Sequence, residues 1–280
     1  MKRILIAGAG SYLGTAFERY IGQWPEAYNV ETLSLRGDAW RKTDFSRFDV
    51  IYQVAGIAHQ KETAENAQTY YEVNCDLAAA VAEQAKAAGV GQFVYLSSMS
   101  VYGMDTGVIT RETPPVPTSH YGKSKLLAEE RLRHLADDSF RIAILRPPMV
   151  YGKDCPGNFQ TVIKLVKRLP IFPRVCNRRS MIYVENLCAF VKLVIDRKLD
   201  GCYFPQNREY AETTQIARLA AKSLGKRVWF SFLAGAGVLL LRPCSSKLRK
   251  AFGSLTYQDM EDFDFVYCAV GFEDSIRRSV

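Results

Sequence analysis

The segment RILIA, Arg3 to Ala7, runs directly into GAGSYLG, Gly8 to Gly14. An apolar run that ends on glycines and passes at once into an amphipathic stretch, Tyr12 to about Ile21, admits one local solution: a buried strand, a tight turn and a helix. MKRILIAGAG shares its basic and apolar character with a leader peptide, but the apolar run is too short and glycines interrupt it. It reads as a first strand.

The same alternation recurs. NVETLSL (29–35), DVIYQVA (49–55), QFVYLS (92–97) and RIAIL (141–145) read as further strands. An Ala-rich helix is expected from about Glu62 to Ala88, stopping at Gly89, and another from about His120 to Leu135, after a turn holding Pro114, Pro115 and Pro117. Short apolar strands alternating with helices predict an α/β fold with a parallel sheet covered on both faces. After RPPMVYG the rhythm loosens. The expected organisation is a sheet domain over 1–150, rejoined by 183–205 through a helix, VENLCAFVKLVI, and a strand, GCYFP. A smaller α/β domain is expected over 151–182 and 206–280.

Bulk properties exclude several classes. The 280 residues carry a net charge of +8, with no run of five or more basic residues and no nucleic-acid-binding motif. Nucleic acid is therefore not an expected partner; a small anionic partner or a solvated basic surface is. Seven cysteines, at 75, 155, 176, 188, 202, 244 and 268, form no C-x-x-C. They suit reduced thiols in a cytoplasmic protein. Three histidines, His59, His120 and His134, do not suggest a metal site, and none is expected. No segment is long and apolar enough to span a bilayer.

In GAGSYLG the glycines Gly8, Gly10 and Gly14 allow a tight turn and close backbone approach, and the helix start offers N–H groups to a pyrophosphate. The fingerprint departs from G-x-x-G-x-x-G in its middle place, which Ser11 holds. Gly10 then takes over the turn, and Ser11 either crowds the phosphates with its Cβ or donates its hydroxyl to them. An acid after the second strand would bind a ribose 2′-hydroxyl. Here Ser34-Leu35-Arg36 ends it. Arg36 either faces a 2′-phosphate, which favours NADP over NAD, or is a surface residue. Asp44 either receives the adenine amino group or is a plain loop aspartate.

YGKSK places Tyr121 and Lys125 one helical turn apart on one face. A tyrosine titrating near ~10 is a poor base at neutral pH. A neighbouring ammonium and a positively charged nicotinamide would both lower that value. Tyr121 then takes a proton from a sugar hydroxyl, and Ser98, in YLSSMSVYG at the end of the fourth strand, holds the reacting oxygen.

GAGSYLG, VAGIAH, EVN (72–74), LSSMSVYG, YGKSK, LRPPMVYG and RRSMIYVENL together resemble the NAD-dependent epimerase/dehydratase family of extended short-chain dehydrogenases/reductases, over about Lys2 to Asp196. FGSL (252–255) is similar to members acting on sugars for cell-surface polysaccharides. The resemblance implies a doubly wound parallel (Rossmann) sheet with a smaller substrate-binding domain, and a nucleotide-sugar substrate. It places Ser98, Tyr121 and Lys125 in the catalytic positions. Gly8, Gly10, Ser11, Tyr12, Leu13, Gly14 and Ala55 then stand at NAD or NADP. It also implies a homodimer formed through helices like 62–88 and 120–135.

Dehydratases of this family carry an Asp-Glu pair or close variant where this chain has Met99-Ser100. Methionine cannot protonate a leaving hydroxyl, so simple redox at C4 is expected instead, with Ser100 touching the substrate. By resemblance Arg179 in RRSMIYV grips the sugar-nucleotide phosphates with its forked donors, and Asn158 in PGNF makes a similar contact. Adjacent Arg178 and Arg179 also fit plain surface solvation. Two departures stand against a particular sugar: Met149 replaces a common asparagine, and no Arg-Pro-Gly-Asp segment is present, Arg242-Pro243-Cys244 being a poor substitute. The segment 232–250 is apolar and then basic; it reads either as a core helix with a basic exit or as a membrane-surface contact. The first expectation is a UDP-sugar 4-epimerase, the second an NADPH-dependent 4-keto-sugar reductase. A non-catalytic NADP-sensing or scaffold protein is the rival of another class.

Overall fold

The structure is a computed structural model that describes residues 1–58, 60–258, 260 and 263–280; His59 of VAGIAH lies outside them. In chain order the strands are β1 (Lys2–Ala7), β2 (Tyr28–Leu33), β3 (Val50–Gln53), β4 (Gln92–Leu96), β5 (Gly107–Ile109), β6 (Arg141–Leu145), β7 (Met149–Tyr151), β8 (Ile171–Pro173), β9 (Met181–Tyr183), β10 (Gly201–Tyr203), β11 (Trp229–Ser231) and β12 (Leu255–Tyr257). The helices are α1 (Tyr12–Ile21), α2 (Ala67–Tyr71), α3 (Leu77–Ala87), α4 (His120–Leu135), α5 (Asn158–Arg168), α6 (Val184–Asp196), α7 (Thr213–Ser223), α8 (Phe232–Leu241), α9 (Ser246–Phe252) and α10 (Phe272–Ser279).

The chain forms two compact units. The first comprises Met1–Gly103, Pro114–Pro147 and Leu187–Pro205. Its six-stranded sheet has the order β10-β6-β4-β3-β1-β2, and every pairing is parallel. This is a doubly wound α/β sheet, and the strand order reverses between β1 and β3. Residues alternate between two apolar faces, as a sheet covered on both sides requires. Leu5, Ile51, Phe93 and Ile142 join Ala78, Val81, Ala82, Ala128 and Leu132 of α3 and α4 in one buried cluster. On the alternate positions, Tyr52 meets Phe17 of α1 edge-on at 5.0 Å between ring centroids. The register brings Ala7, Leu33 and Gln53 level, with Leu96 beside Leu145, so the following loops leave from one edge of the sheet. Ligands of open α/β sheets bind at that carboxyl edge, beside the order reversal.

One expected helix differs from the reading. Residues 62–66 are not helical: Glu62 turns its carboxylate to the backbone N–H groups of His120 and Tyr121, and Thr63 and Asn66 cap each other. Between α2 and α3 the chain widens into one π-turn, Glu72–Asp76, centred on buried Asn74. A wide turn releases backbone groups for side-chain bonding, a feature frequent at functional sites.

The second unit comprises Met104–Thr113, Pro148–Asn186 and Gln206–Val280. It holds three two-stranded parallel pairs, β5–β12, β7–β9 and β8–β11. Its core includes Phe159, Ile163, Val166, Phe172, Ile216 and Ala220. Tyr151 is buried there, accepting from Asn207 Nδ2 at 2.9 Å. The expected burial of 232–250 as a core helix is not what the fold delivers: Gly235 is the buried residue of α8, packed where a Cβ would strike the Arg174 carbonyl, and Leu233 and Leu240 face outward. Among the described residues no helix is long and apolar enough to cross a membrane.

Candidate functional site

The glycine loop leaves β1 at the reversal of strand order. Gly8 has φ +134°, and a Cβ there would stand 2.7 Å from the Ala55 nitrogen, so the β1 and β3 loops touch because the residue is glycine. Gly10 has φ +76° and nothing within 4 Å of its Cβ position, which leaves open space over the backbone. Ser11 is the N-cap of α1: its Oγ accepts from Gly14 N at 3.1 Å. That settles the local role of the odd residue. The hydroxyl caps the helix, as serine does well, and its hydrogen remains available to an acceptor. Tyr12 and Leu13 open the helix, whose first-turn N–H groups lack intrahelical acceptors by construction. Positive-φ glycine, open space and a helix start fit a dinucleotide pyrophosphate.

Arg36 and Asp44 lie at the surface. Arg36 is exposed beyond the end of β2. Asp44 caps the short turn Phe45–Arg47, its Oδ1 accepting from Ser46 N at 3.0 Å and Ser46 Oγ at 2.6 Å, which holds its carboxyl below the usual range.

The catalytic candidates all belong to the first unit. Ser119 caps α4 by accepting from Gly122 N at 3.0 Å, and the Glu62 carboxylate accepts from His120 N at 2.9 Å and Tyr121 N at 3.0 Å. A carboxylate at a helix N-terminus is electrostatically favourable and fixes where Tyr121 starts the helix. Tyr121 lies beside Ser98. Ser98 Oγ in turn accepts from Ser100 N at 3.1 Å and donates to Ser100 Oγ at 3.2 Å. Burial pushes the Tyr121 phenol up from its ordinary value, and the neighbouring Ser98 opposes it.

Lys125 is buried. Its ammonium donates to the Leu96 carbonyl at 2.8 Å and stands 4.7 Å over the Tyr95 ring. Burial pushes it down to about 8, against the attraction of Glu129. The ammonium is turned to Leu96 and Tyr95, burial dominates at Tyr121, and Ser98 supplies the downward influence.

Several supporting residues escaped the sequence reading. Asn74 accepts from Ile57 N at 2.8 Å and donates to Ile57 O at 3.2 Å and Ser124 Oγ at 3.0 Å, tying the β3 loop to α4. A Cβ at Gly56 would lie 2.9 Å from Asn74 Oδ1 and 3.3 Å from Lys125 Nζ, so this glycine keeps the ground beside the lysine clear. Glu129, fully buried, receives Arg146 through Nε at 3.0 Å and through Nη2, and also accepts from Ser97 Oγ. Arg146 Nη1 donates to Tyr102 OH at 2.9 Å. This buried pair anchors the serine strand beside α4. Its only sequence signal was the arginine of LRPPMVYG, whose partner lies 17 residues earlier in a helix of mixed charge.

In the second unit Arg179 donates to the Gly253 carbonyl at 2.9 Å, while its buried Nε has no partner among the described residues. Burial lowers its pKa, and Asp105 opposes this. Arg179, Asn158, Met149 and Lys250 line a cavity of about 20 Å³, room for one water. The neighbouring side chain, Arg178, faces a cavity of about 720 Å³ that Tyr210, Arg242, Arg249, Thr256 and Gln258 also line. The guanidinium of Arg178 lies 4.6 Å over the Tyr210 ring. The roomy basic cavity was not foreseen, since adjacent arginines on an extended backbone point to opposite sides and sequence cannot say which side is hollow.

A model of the NAD dependent epimerase/dehydratase family matches residues 4–202. The chain is 31% identical over 254 residues to a UDP-glucose 4-epimerase of Vibrio cholerae, covering 81% of this chain and 77% of that protein. It is 27% identical over 188 residues to N-acetyl-alpha-D-glucosaminyl-diphospho-ditrans,octacis-undecaprenol 4-epimerase of Escherichia coli O157:H7, covering 65% of this chain and 56% of that protein. Among solved structures, a UDP-glucuronic acid 4-epimerase from Bacillus cereus in complex with NAD superposes with a TM-score of 0.75 at 20% identity, covering 99% and 97% of the two chains. A dTDP-4-dehydrorhamnose reductase from Bacillus anthracis in complex with NADP gives 0.66 at 22% identity, covering 81% and 83%. At these identities the structural likeness speaks for the fold.

Proposed function

This chain belongs to the NAD dependent epimerase/dehydratase family, and we propose that it is a nucleotide-sugar 4-epimerase, acting on a UDP-sugar in cell-surface polysaccharide synthesis. It is an enzyme whose cofactor is NAD or NADP. The observation that carries the reading is Ser98 placed beside Tyr121, one helical turn from buried Lys125, with Met99 and Ser100 in place of dehydrating acids.

The nicotinamide cofactor, when bound at the glycine loop, supplies a reversible acceptor for the hydride of C4. Tyr121, as the phenolate that a bound nicotinamide cation would favour against the effect of burial, takes the proton of the C4 hydroxyl on its phenolic oxygen. Ser98 holds the C4 oxygen in line through its Oγ, and Ser100 orients Ser98. Lys125, buried and cationic below about pH 8, favours negative charge nearby and binds the cofactor ribose. Once the 4-keto sugar has rotated and its C4 has regained the hydride on the opposite face, Tyr121 returns its proton to the C4 oxygen. Arg179 and Asn158, whose one-water cavity would widen to admit it, hold the sugar-nucleotide diphosphate. A homodimer through α4 and the 62–88 segment belongs to the same reading and is tested by sedimentation velocity.

A second reading is a 4-keto-sugar reductase using NADPH once per turnover. Exposed Arg36, standing where no acid follows β2, supports it. Tyr121→Phe tests the common mechanism. It should retain cofactor binding, followed by fluorescence titration, and lose turnover by about a hundredfold or more. Unchanged turnover would remove Tyr121 from the chemistry.

A further inference from the structure

Helix α8, FLAGAGVLLL, is apolar on all sides, yet it lies at the surface of the second unit. Leu233 is 87% exposed, Leu240 79% and Phe232 67%. Leu233, Ala236, Gly237 and Leu240 follow i, i+3, i+4, i+7 spacing and form one outward stripe. The opposite side is fixed by Gly235 against the Arg174 backbone. The stripe continues onto the neighbouring strand pair, where Trp229 is 79% exposed and its register partner Ile171 52%. A contiguous apolar patch of this kind is a contact surface.

Charge says what covers it. Residues 155–184 contain six lysines and arginines and residues 213–258 contain eight, with no aspartate or glutamate in either stretch. Both stretches belong to the second unit and contain the patch residues. Arg174 lies 4.2 Å over the exposed Phe232 ring, Lys222 and Arg227 are exposed ahead of Trp229, and Arg242 and Lys247 follow Leu241. A second copy of the chain would bring a like-charged collar against this one and be repelled. An anionic lipid surface meets both parts. Leucines and the indole enter the acyl boundary, and the cations stay at the headgroups. The helix has 10 residues. That is about 15 Å, half of what a span requires, so it lies in the interface.

We propose that α8 and the Trp229–Ile171 edge dock this protein on anionic membranes. The inference does not depend on which sugar is turned over. The full chain is sedimented with vesicles of phosphatidylcholine alone and of phosphatidylcholine mixed with phosphatidylglycerol, at low and moderate salt. Binding is expected to the anionic vesicles at least about tenfold tighter than to the neutral ones, weakening with salt. Leu233→Asp/Leu240→Asp should lower it at least about tenfold with turnover of soluble substrate and melting temperature unchanged. Lys222→Glu/Arg227→Glu should also weaken it while the apolar stripe stays intact. Equal binding to both vesicles, no binding, or binding that survives both pairs of substitutions would overturn the proposal. So would a dimer that the leucine substitutions dissociate while vesicle binding is absent.

Discussion

Arg146→Met removes one half of the buried pair that anchors the serine strand. In the native fold Glu129 is fully buried, and its carboxylate receives two guanidinium nitrogens of Arg146, the Ser97 hydroxyl and Nη2 of Arg133 at 2.9 Å. Arg133 is 45% exposed and too well solvated to neutralise the acid alone. The substitution therefore leaves a buried carboxylate with one buried partner, a hydroxyl. Breaking such a pair costs about 3–5 kcal/mol, whereas replacing both charges by apolar groups is close to neutral. The expected loss in urea unfolding is about 3–5 kcal/mol, with a melting temperature lower by about 6–20 °C. Arg146→Met/Glu129→Leu should recover most of it, returning to within about 2 kcal/mol of the parent. Turnover in the single variant should fall as well, because Ser97 precedes Ser98 and loses its acceptor geometry. A single-variant loss below about 1 kcal/mol, or a double variant no more stable than the single, would refute the reasoning.

Other outcomes follow from the same geometry. Lys125 is depressed to about 8, below an unfolded lysine near ~10.4. Its charged form thus weakens the fold below pH 8, and that cost is relieved as pH rises towards 10. Parent stability relative to Lys125→Met should rise by about 2 kcal/mol between pH 7.5 and 9.5 in urea titrations; a constant difference would contradict this. Gly56→Ala puts a Cβ 2.9 Å from buried Asn74 Oδ1 and 3.3 Å from Lys125 Nζ; it should lower the melting temperature and cut kcat/KM about tenfold or more, read by thermal unfolding and steady-state kinetics. Arg179→Ala should raise the substrate KM about tenfold with kcat little changed; the same effect from Arg178→Ala alone would move the diphosphate to the larger cavity.

How legible this was depended on the range of each interaction. α1, α4 and β6 begin and end where the apolar rhythm and its punctuation put them, because glycine, proline and a serine cap act locally. Ser98 and Tyr121 were named from two short motifs and do meet, since the sheet brings the end of β4 beside the start of α4. The break in 62–88 was not legible: Glu62 is a good helix former, and it is drawn off by N–H groups 58 and 59 residues away. Glu129 reads as one of several exposed helix charges until Arg146 is known to lie against it. The outward face of α8 was legible only as one of two alternatives, because an all-apolar decapeptide reads as core when nothing in its own sequence says what it packs on.

The central claim is that C4 is oxidised and reduced within one turnover. Proton NMR of a panel of UDP-sugars, N-acetylated ones included, incubated with enzyme and substoichiometric NAD⁺ tests it directly. The account predicts that one C4 epimer accumulates to equilibrium with no net consumption of cofactor. Binding of cofactor without interconversion of any sugar in the panel would contradict it and make reduction of a 4-keto sugar the leading reading.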